Sequence, residues 1–105
     1  MNKYNAKKTT VDGIKFDSKR EAKRYGELKH LERAGDITEL KVHPSWDIVV
    51  NEHFIGRYTA DFSYHNSQGS HVEDVKSPAT AKRADYRLRK RLMAAVFDIH
   101  IIEVL

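Results

Sequence analysis

Apolar residues recur at Ala22, Tyr25, Leu28 and Leu31, the three-and-four spacing of a helix with one buried face. Ser18-Lys19-Arg20-Glu21 has the form of a capping box, so the helix is predicted to begin at Asp17 or Ser18, and Gly35 to stop it. Pro44 marks a loop, and beyond it the period changes. Trp46, Ile48, Val49 and Val50 form a β-prone run, Asn51-Glu52 reads as a turn, Phe54-Ile55 resumes the strand, and Gly56 reads as a second turn or a bulge. From Tyr58 to Tyr64 the chain alternates, with Tyr58, Ala60, Phe62 and Tyr64 on a core face and Thr59, Asp61 and Ser63 on a polar one. Asn66 to Gly69 is a hairpin loop and Ser70 to Lys76 the returning strand, ended by Ser77-Pro78. Thr80 is expected to cap a second helix from Ala81 to Phe97, with a core stripe of Ala84, Leu88, Leu92, Ala95 and Val96. Ile99 to Leu105 is almost wholly apolar and β-branched and reads as a buried strand.

The predicted order is helix, three strands in a meander, helix, strand. A strand reached through a helical crossover can pair in parallel with the meander, which makes an α/β fold with a small mixed sheet flanked by helices. At 105 residues the chain is one domain, 1–105, entered through a basic arm or short hairpin over residues 1–13 that turns at Asp12-Gly13.

Composition narrows the function classes. Hydrophobic residues make up 40% and charged residues 32%, the balance of a globular domain and not of a disordered tail. There is no cysteine, which excludes disulfides, thiolate ligands and a thiol nucleophile and fits a reducing compartment. No apolar run approaches the roughly 18 residues of a membrane span, and MNKYNAKKTT lacks a signal-peptide core; no membrane partner and a cytoplasmic location are expected. The net charge of +4 points to a polyanion, nucleic acid first. The second helix carries Lys82, Arg83, Arg87, Arg89, Lys90 and Arg91 against one acid, Asp85. That run is expected to track phosphates, with Tyr86 reaching a phosphate or a base.

The acids are placed less casually. A hairpin turning through residues 65–69 sets Asp61 opposite Asp74, and Val72, Asp74 and Lys76 share one face while His71, Glu73 and Val75 take the other. Facing carboxylates repel, so a cation belongs between them: a divalent metal or Lys76. Glu21 falls between Tyr25 and Leu28 in the apolar sector of its helix. It reads either as an inward acid that needs a partner or as a capping-box residue bonded back to the helix start. Asp61 alone reads equally as a salt-bridged acid, and Asp74-x-Lys76 as a surface charge pair. Their conjunction on the predicted elements points to a hard-oxygen site for Mg²⁺ or Mn²⁺ acting on a phosphodiester. His30, His43, His53, His65, His71 and His100 show no H-x-x-H ligand spacing and read as structural or surface residues, His71 standing nearest a functional position. Trp46, Phe54 and Phe97 read as core, with a dimer interface as the alternative.

Glu21 on a first helix, Asp61 on a strand, Asp74-Val75-Lys76 on the next and then a basic helix resemble the PD-(D/E)XK nuclease superfamily. KYNAKKTTVDGIKFDSKREA, YTADFSY and VEDVKS are similar to a family of small phage and prophage proteins assigned to it, across residues 3 to about 104. The resemblance implies a restriction-endonuclease-like αβββαβ core. It implies metal ligation by Asp61 and Asp74, with the Val75 carbonyl as a third ligand and Glu21 completing the site, and Lys76 as the catalytic lysine. It also implies a Mg²⁺- or Mn²⁺-dependent deoxyribonuclease of phage DNA metabolism, in the host cytoplasm. The proline in the superfamily's name is replaced here by Ala60. DNA would be met through Lys82, Arg83, Tyr86, Arg87, Arg89 and Lys90, by structure more than by sequence. A two-fold symmetric substrate such as a four-way junction, the substrate of Holliday junction resolvases, would require a homodimer. The alternatives are a non-catalytic nucleic-acid-binding accessory protein and a protein-binding factor of a phage machine.

Overall fold

In the computed structural model, which describes residues 8–105, Ser18 starts the first helix as the capping pattern requires. Its Oγ accepts the Glu21 N–H at 3.1 Å, which satisfies one of the free donors of a helix start. Helix α1 (Lys19–Arg33) buries Glu21, Ala22, Tyr25 and Leu28 and is followed by Gly35 at φ +82°, a conformation that favours glycine. Ahead of it, strands β1 (Thr9–Val11) and β2 (Ile14–Phe16) form the hairpin turned by Asp12-Gly13. Both turn residues have positive φ, as a tight two-residue hairpin needs. Residues 1–7 of the expected basic arm lie outside the described residues.

After α1 come β3 (Thr38–Val42), β4 (Ser45–Val50), β5 (His53–Thr59), β6 (Phe62–Asn66) and β7 (Gly69–Val75). A short helical turn, α2 (Pro78–Ala81), helix α3 (Ala84–Phe97) and β8 (Ile102–Val104) complete the chain. The main sheet has the order β3-β6-β7-β8; β3, β6 and β7 are antiparallel and β8 runs parallel to β7. β4 and β5 form a separate two-stranded ribbon. Among the described residues the protein is thus mixed α/β with a small mixed sheet and three helices. Apolar side chains gather in two clusters. Phe16, Tyr25, Leu28, Ile37, Phe62 and Tyr64 pack under α1. Ile48, Tyr58, Ala60, Val72, Met93 and Ile101 pack under α3. A fully buried side chain of this size contributes about 1.5–3 kcal/mol. No helix among the described residues is long and apolar enough to cross a membrane.

Several expectations are corrected. The single strand Tyr58–Tyr64 is broken at Ala60-Asp61. Its two halves bury their side chains in different clusters, so strict alternation continued across a change of sheet. The meander's first strand is Thr38–Val42, for which nothing was predicted; the β-prone run Trp46–Ile55 builds the ribbon instead. TELKV is a charged edge strand, and edges carry weak apolar patterning. The cap before α2 is Ser77, whose Oγ accepts the Thr80 N–H at 3.1 Å, so Thr80 is not the cap of the long helix. That helix turns Tyr86 and Met93 inward and leaves Leu88 51% exposed, which rotates it away from the expected Ala84–Leu88 stripe. Leu92 is half-buried against the second cluster, while Val96 is exposed. Phe54 and Phe97 are exposed and Trp46 is half-buried. The last strand is short, with Ile101 buried and Ile102 exposed.

Candidate metal centre

The break between β5 and β6 places Asp61. The β6–β7 register, Phe62 with Glu73 and onward to Asn66 with Gly69, extends to set Asp61 opposite Asp74. The Asp61 N–H donates to Asp74 Oδ1 at 2.9 Å, and the Val75 N–H donates to Asp61 Oδ2 at 2.7 Å. Asp74 Oδ2 accepts the Tyr58 hydroxyl. Asp74 is 1% exposed, and backbone and tyrosine donors hold both of its oxygens. Asp61 keeps Oδ1 free of any hydrogen-bonded partner among the described residues.

Glu21 resolves its two readings. Its own N–H is capped by Ser18, but its buried carboxylate turns to His43, whose Nε2 donates to Glu21 Oε1 at 2.8 Å. His43 precedes Pro44 and has φ 55°, a costly conformation for a non-glycine residue. Two backbone bonds hold it there: the His43 N–H donates to the Asp61 carbonyl at 2.9 Å, and the Ala60 N–H to the Pro44 carbonyl at 2.9 Å. Candidate ligand atoms of Glu21, His43 and Asp61 consequently lie within 4.8 Å of one another. That spacing and donor set could hold a divalent cation.

The electrostatics agree with crowded acids. Burial pushes the Asp61 carboxyl up to about 7, and the Glu21 carboxylate adds to the rise; the Val75 amide and the Lys76 ammonium oppose it. Burial also raises Asp74, against the Tyr58 hydroxyl, Lys76 and the Asp61 amide. Glu21, Asp61, Asp74 and Lys76 thus act on one another's charge. Lys76 Nζ lies 4.8 Å from the centre of the Tyr86 ring, a cation–π contact. Glu73, next to Asp74, faces α1, where Arg24 grips it through Nε at 2.8 Å and Nη2 at 2.6 Å and Tyr64 donates a further bond.

Each residue expected at the site has a definite place. Glu21 and Asp61 come together with His43, while Asp74 and Lys76 adjoin them on the α3 side. Val75 contributes its N–H to Asp61. Lys82, Arg83, Arg87 and Arg89 are exposed on or before α3. Arg83 and Arg89 share Asp85 at 3.1 and 3.9 Å, and half-buried Lys90 reaches Glu103 at 3.3 Å. Lys82, Arg87 and Arg91 have no acid partner among the described residues. Tyr86, expected on the DNA-facing surface, is 4% exposed instead, because the rotation of α3 turns its ring under Lys76. His43, which reads as structural or surface in the sequence, joins this candidate group, which is assembled from three separate segments and has no ligand spacing along the chain. The available signal was the His-Pro step, a site of constrained backbone.

Fold and site together define a mixed α/β protein in which buried Glu21, half-buried Asp61 and exposed His43 form one group beside the sheet. The chain belongs to the family described as protein of unknown function (DUF1064), which matches residues 1–103. No curated protein and no solved structure matches it.

Proposed function

We propose that the protein is a divalent-metal-dependent DNA endonuclease that hydrolyses phosphodiester bonds, with structure-directed cutting of branched or nicked DNA as its task in phage DNA metabolism. The observation that carries this reading is the meeting of Glu21, His43 and Asp61 within 4.8 Å, beside Asp74 and Lys76. The donor set fits a hard or borderline cation: the buried Glu21 carboxylate, the half-buried Asp61 carboxylate with an oxygen to spare, and the exposed His43 imidazole. The order helix, three antiparallel strands, helix, parallel strand supports a restriction-endonuclease-like core with the β4–β5 ribbon as an insertion.

Glu21, His43 and Asp61 would hold Mg²⁺ or Mn²⁺, with Asp74 as the adjoining acid. When bound, the ion lowers the pKa of water and offsets charge on the phosphate. Asp74 orients Asp61 through its amide, and the Val75 N–H fixes one Asp61 oxygen. The Lys76 ammonium stabilises negative charge that develops on the phosphoryl oxygens as water attacks and the P–O bond breaks. Lys82, Arg83, Arg87 and Arg89 meet backbone phosphates, which gives affinity without base readout. A two-fold symmetric junction would call for a homodimer.

A second reading, a non-catalytic nucleic-acid-binding accessory protein, is favoured by the exposed, acid-free Lys82, Arg87 and Arg91. One experiment separates the two. Supercoiled plasmid and a synthetic four-way junction are incubated with the protein in Mg²⁺, Mn²⁺ or EDTA, beside Asp61→Ala and Lys76→Ala. Metal-dependent cutting lost in both variants supports the nuclease; DNA binding without cutting under any metal supports the accessory protein.

A further inference from the structure

We infer that the outer face of the β4–β5 ribbon is a self-association surface. A second copy of the chain packs on it about a two-fold axis, with apolar side chains at the centre and Asp47 of each copy meeting Arg57 of the other.

The ribbon is two-sided. Trp46, Ile48 and Tyr58 turn inward and pack under α3. By strand alternation Asp47, Val49 and Arg57 take the opposite face. The register shifts between Ile48 and Val49: Ile48 pairs with Gly56 and Val49 with Phe54, so Ile55 is an extra residue. That bulge sets both Phe54 and Ile55 against Val49. Phe54, Ile55 and Val49 are 65%, 54% and 46% exposed. β4 and β5 pair with no other strand among the described residues. A two-stranded hairpin is marginal in water unless its apolar side chains are covered. One face of this ribbon has α3 over it; the other carries an apolar centre with nothing on it.

Charge decides the occupant. The chain carries +4, so two copies repel in most orientations. The outer face of the ribbon is neutral. Asp47 and Arg57 stand opposite each other in the register, joined at 2.8 Å through Arg57 Nε, and a guanidinium has further donors to offer. A two-fold axis through the apolar centre brings each acid to the other copy's base, the self-complementarity that an isologous interface requires. Nucleic acid is the poorer occupant: the face has one arginine, already paired with an acid, and Glu52 lies at the ribbon's turn. Because α3 covers the inner face, its cations stay outside such a dimer and remain open to phosphate. The face is about 20 Å long, small beside the roughly 800 Å² per partner of a standard interface, so a reversible dimer with a Kd of about 10–100 μM is expected. This surface does not rest on the nuclease reading, which asks for a two-fold dimer only for a symmetric substrate and names no interface.

The test is sedimentation equilibrium of the full chain in EDTA without DNA, from about 1 to 500 μM. The mass is expected to rise from one chain to two across that range. Phe54→Ser should weaken pairing about tenfold or more. Asp47→Arg and Arg57→Asp should each weaken it alone, and an equimolar mixture of the two should regain it, since every acid again meets a base. These side chains are exposed, and circular dichroism checks each variant for folding. A wild type that stays a single chain throughout, or equal affinity in folded Phe54→Ser, overturns the surface. A mixture no tighter than either variant alone overturns the two-fold packing. Pairing intact in Phe54→Ser, with binding to a four-way junction lost, gives the face to nucleic acid and overturns the proposal. Cutting does not enter, so failure of the nuclease reading leaves the result standing.

Discussion

The backbone of His43 is hydrogen-bonded to that of Asp61, the His43 N–H meeting the Asp61 carbonyl at 2.9 Å. This bond ties the turn after β3 to the break before β6. It carries the imidazole to the carboxylate, and Glu21 arrives from α1 to close the group. Three side chains far apart in sequence are thereby held by backbone geometry and not by flexible surface loops, the preorganisation that a metal site requires.

His43 should therefore govern which ion is preferred. Imidazole favours borderline metals over Mg²⁺. His43→Ala is expected to weaken Mn²⁺ binding by about 10- to 100-fold and Mg²⁺ binding less, read by calorimetry on each ion. Equal losses for the two ions would show that the ring does not select the metal.

Lys76 should affect turnover more than binding. Lys76→Met is expected to lower kcat for DNA cutting by about 10²–10³-fold with a small change in KM, since the ammonium acts on charge that develops during reaction. A rise in KM at constant kcat would make Lys76 a binding residue only.

The metal-free protein should lose stability as pH rises through about 7. The buried Asp61 carboxyl titrates at about 7 in the folded chain against an ordinary 3.8. The folded state consequently holds a proton that the unfolded chain has released between those values. The resulting stability is full below the ordinary carboxylate range and is lost as pH rises past the folded value; Asp74, also raised, acts in the same direction. Thermal melts in EDTA should give a higher Tm near about pH 5.5 than near about pH 8, and Asp61→Asn should flatten the difference. A Tm that climbs with pH in the wild type would contradict the buried-acid account.

Glu73 should prove structural. Arg24→Met leaves a carboxylate that is 1% exposed without its cation. Breaking a buried pair costs about 3–5 kcal/mol, reduced here to about 2–4 because Arg24 retains some solvent contact. Urea denaturation measures it, and a loss near zero would place Glu73 outside the core.

What the sequence disclosed follows the range of the forces involved. Ser18 and the Tyr25–Leu28 spacing placed α1 because caps and helical periodicity are local. The hairpin loop at 66–69 set the register that carries Asp61 to Asp74, and the helical crossover gave the parallel last strand. Alternation from Tyr58 to Tyr64 hid the break at Ala60-Asp61, since a strand that changes sheets keeps every second residue buried. Thr38–Val42 went unseen because an edge strand with Glu39 and Lys41 has little apolar signal. The rotation of α3 was illegible because Leu88 and Val96 are apolar but exposed, while Tyr86 turns inward towards Lys76. His43 was invisible for the most physical reason: its partners are chosen by two backbone bonds between distant turns, and no pattern along the chain records them.

The most direct measurement is anomalous diffraction at the manganese edge from crystals grown with Mn²⁺. The account predicts a peak at bonding distance from Glu21, His43 and Asp61, absent in Asp61→Ala crystals. No peak at that group, with metal-dependent DNA cutting intact in the same preparation, would contradict it.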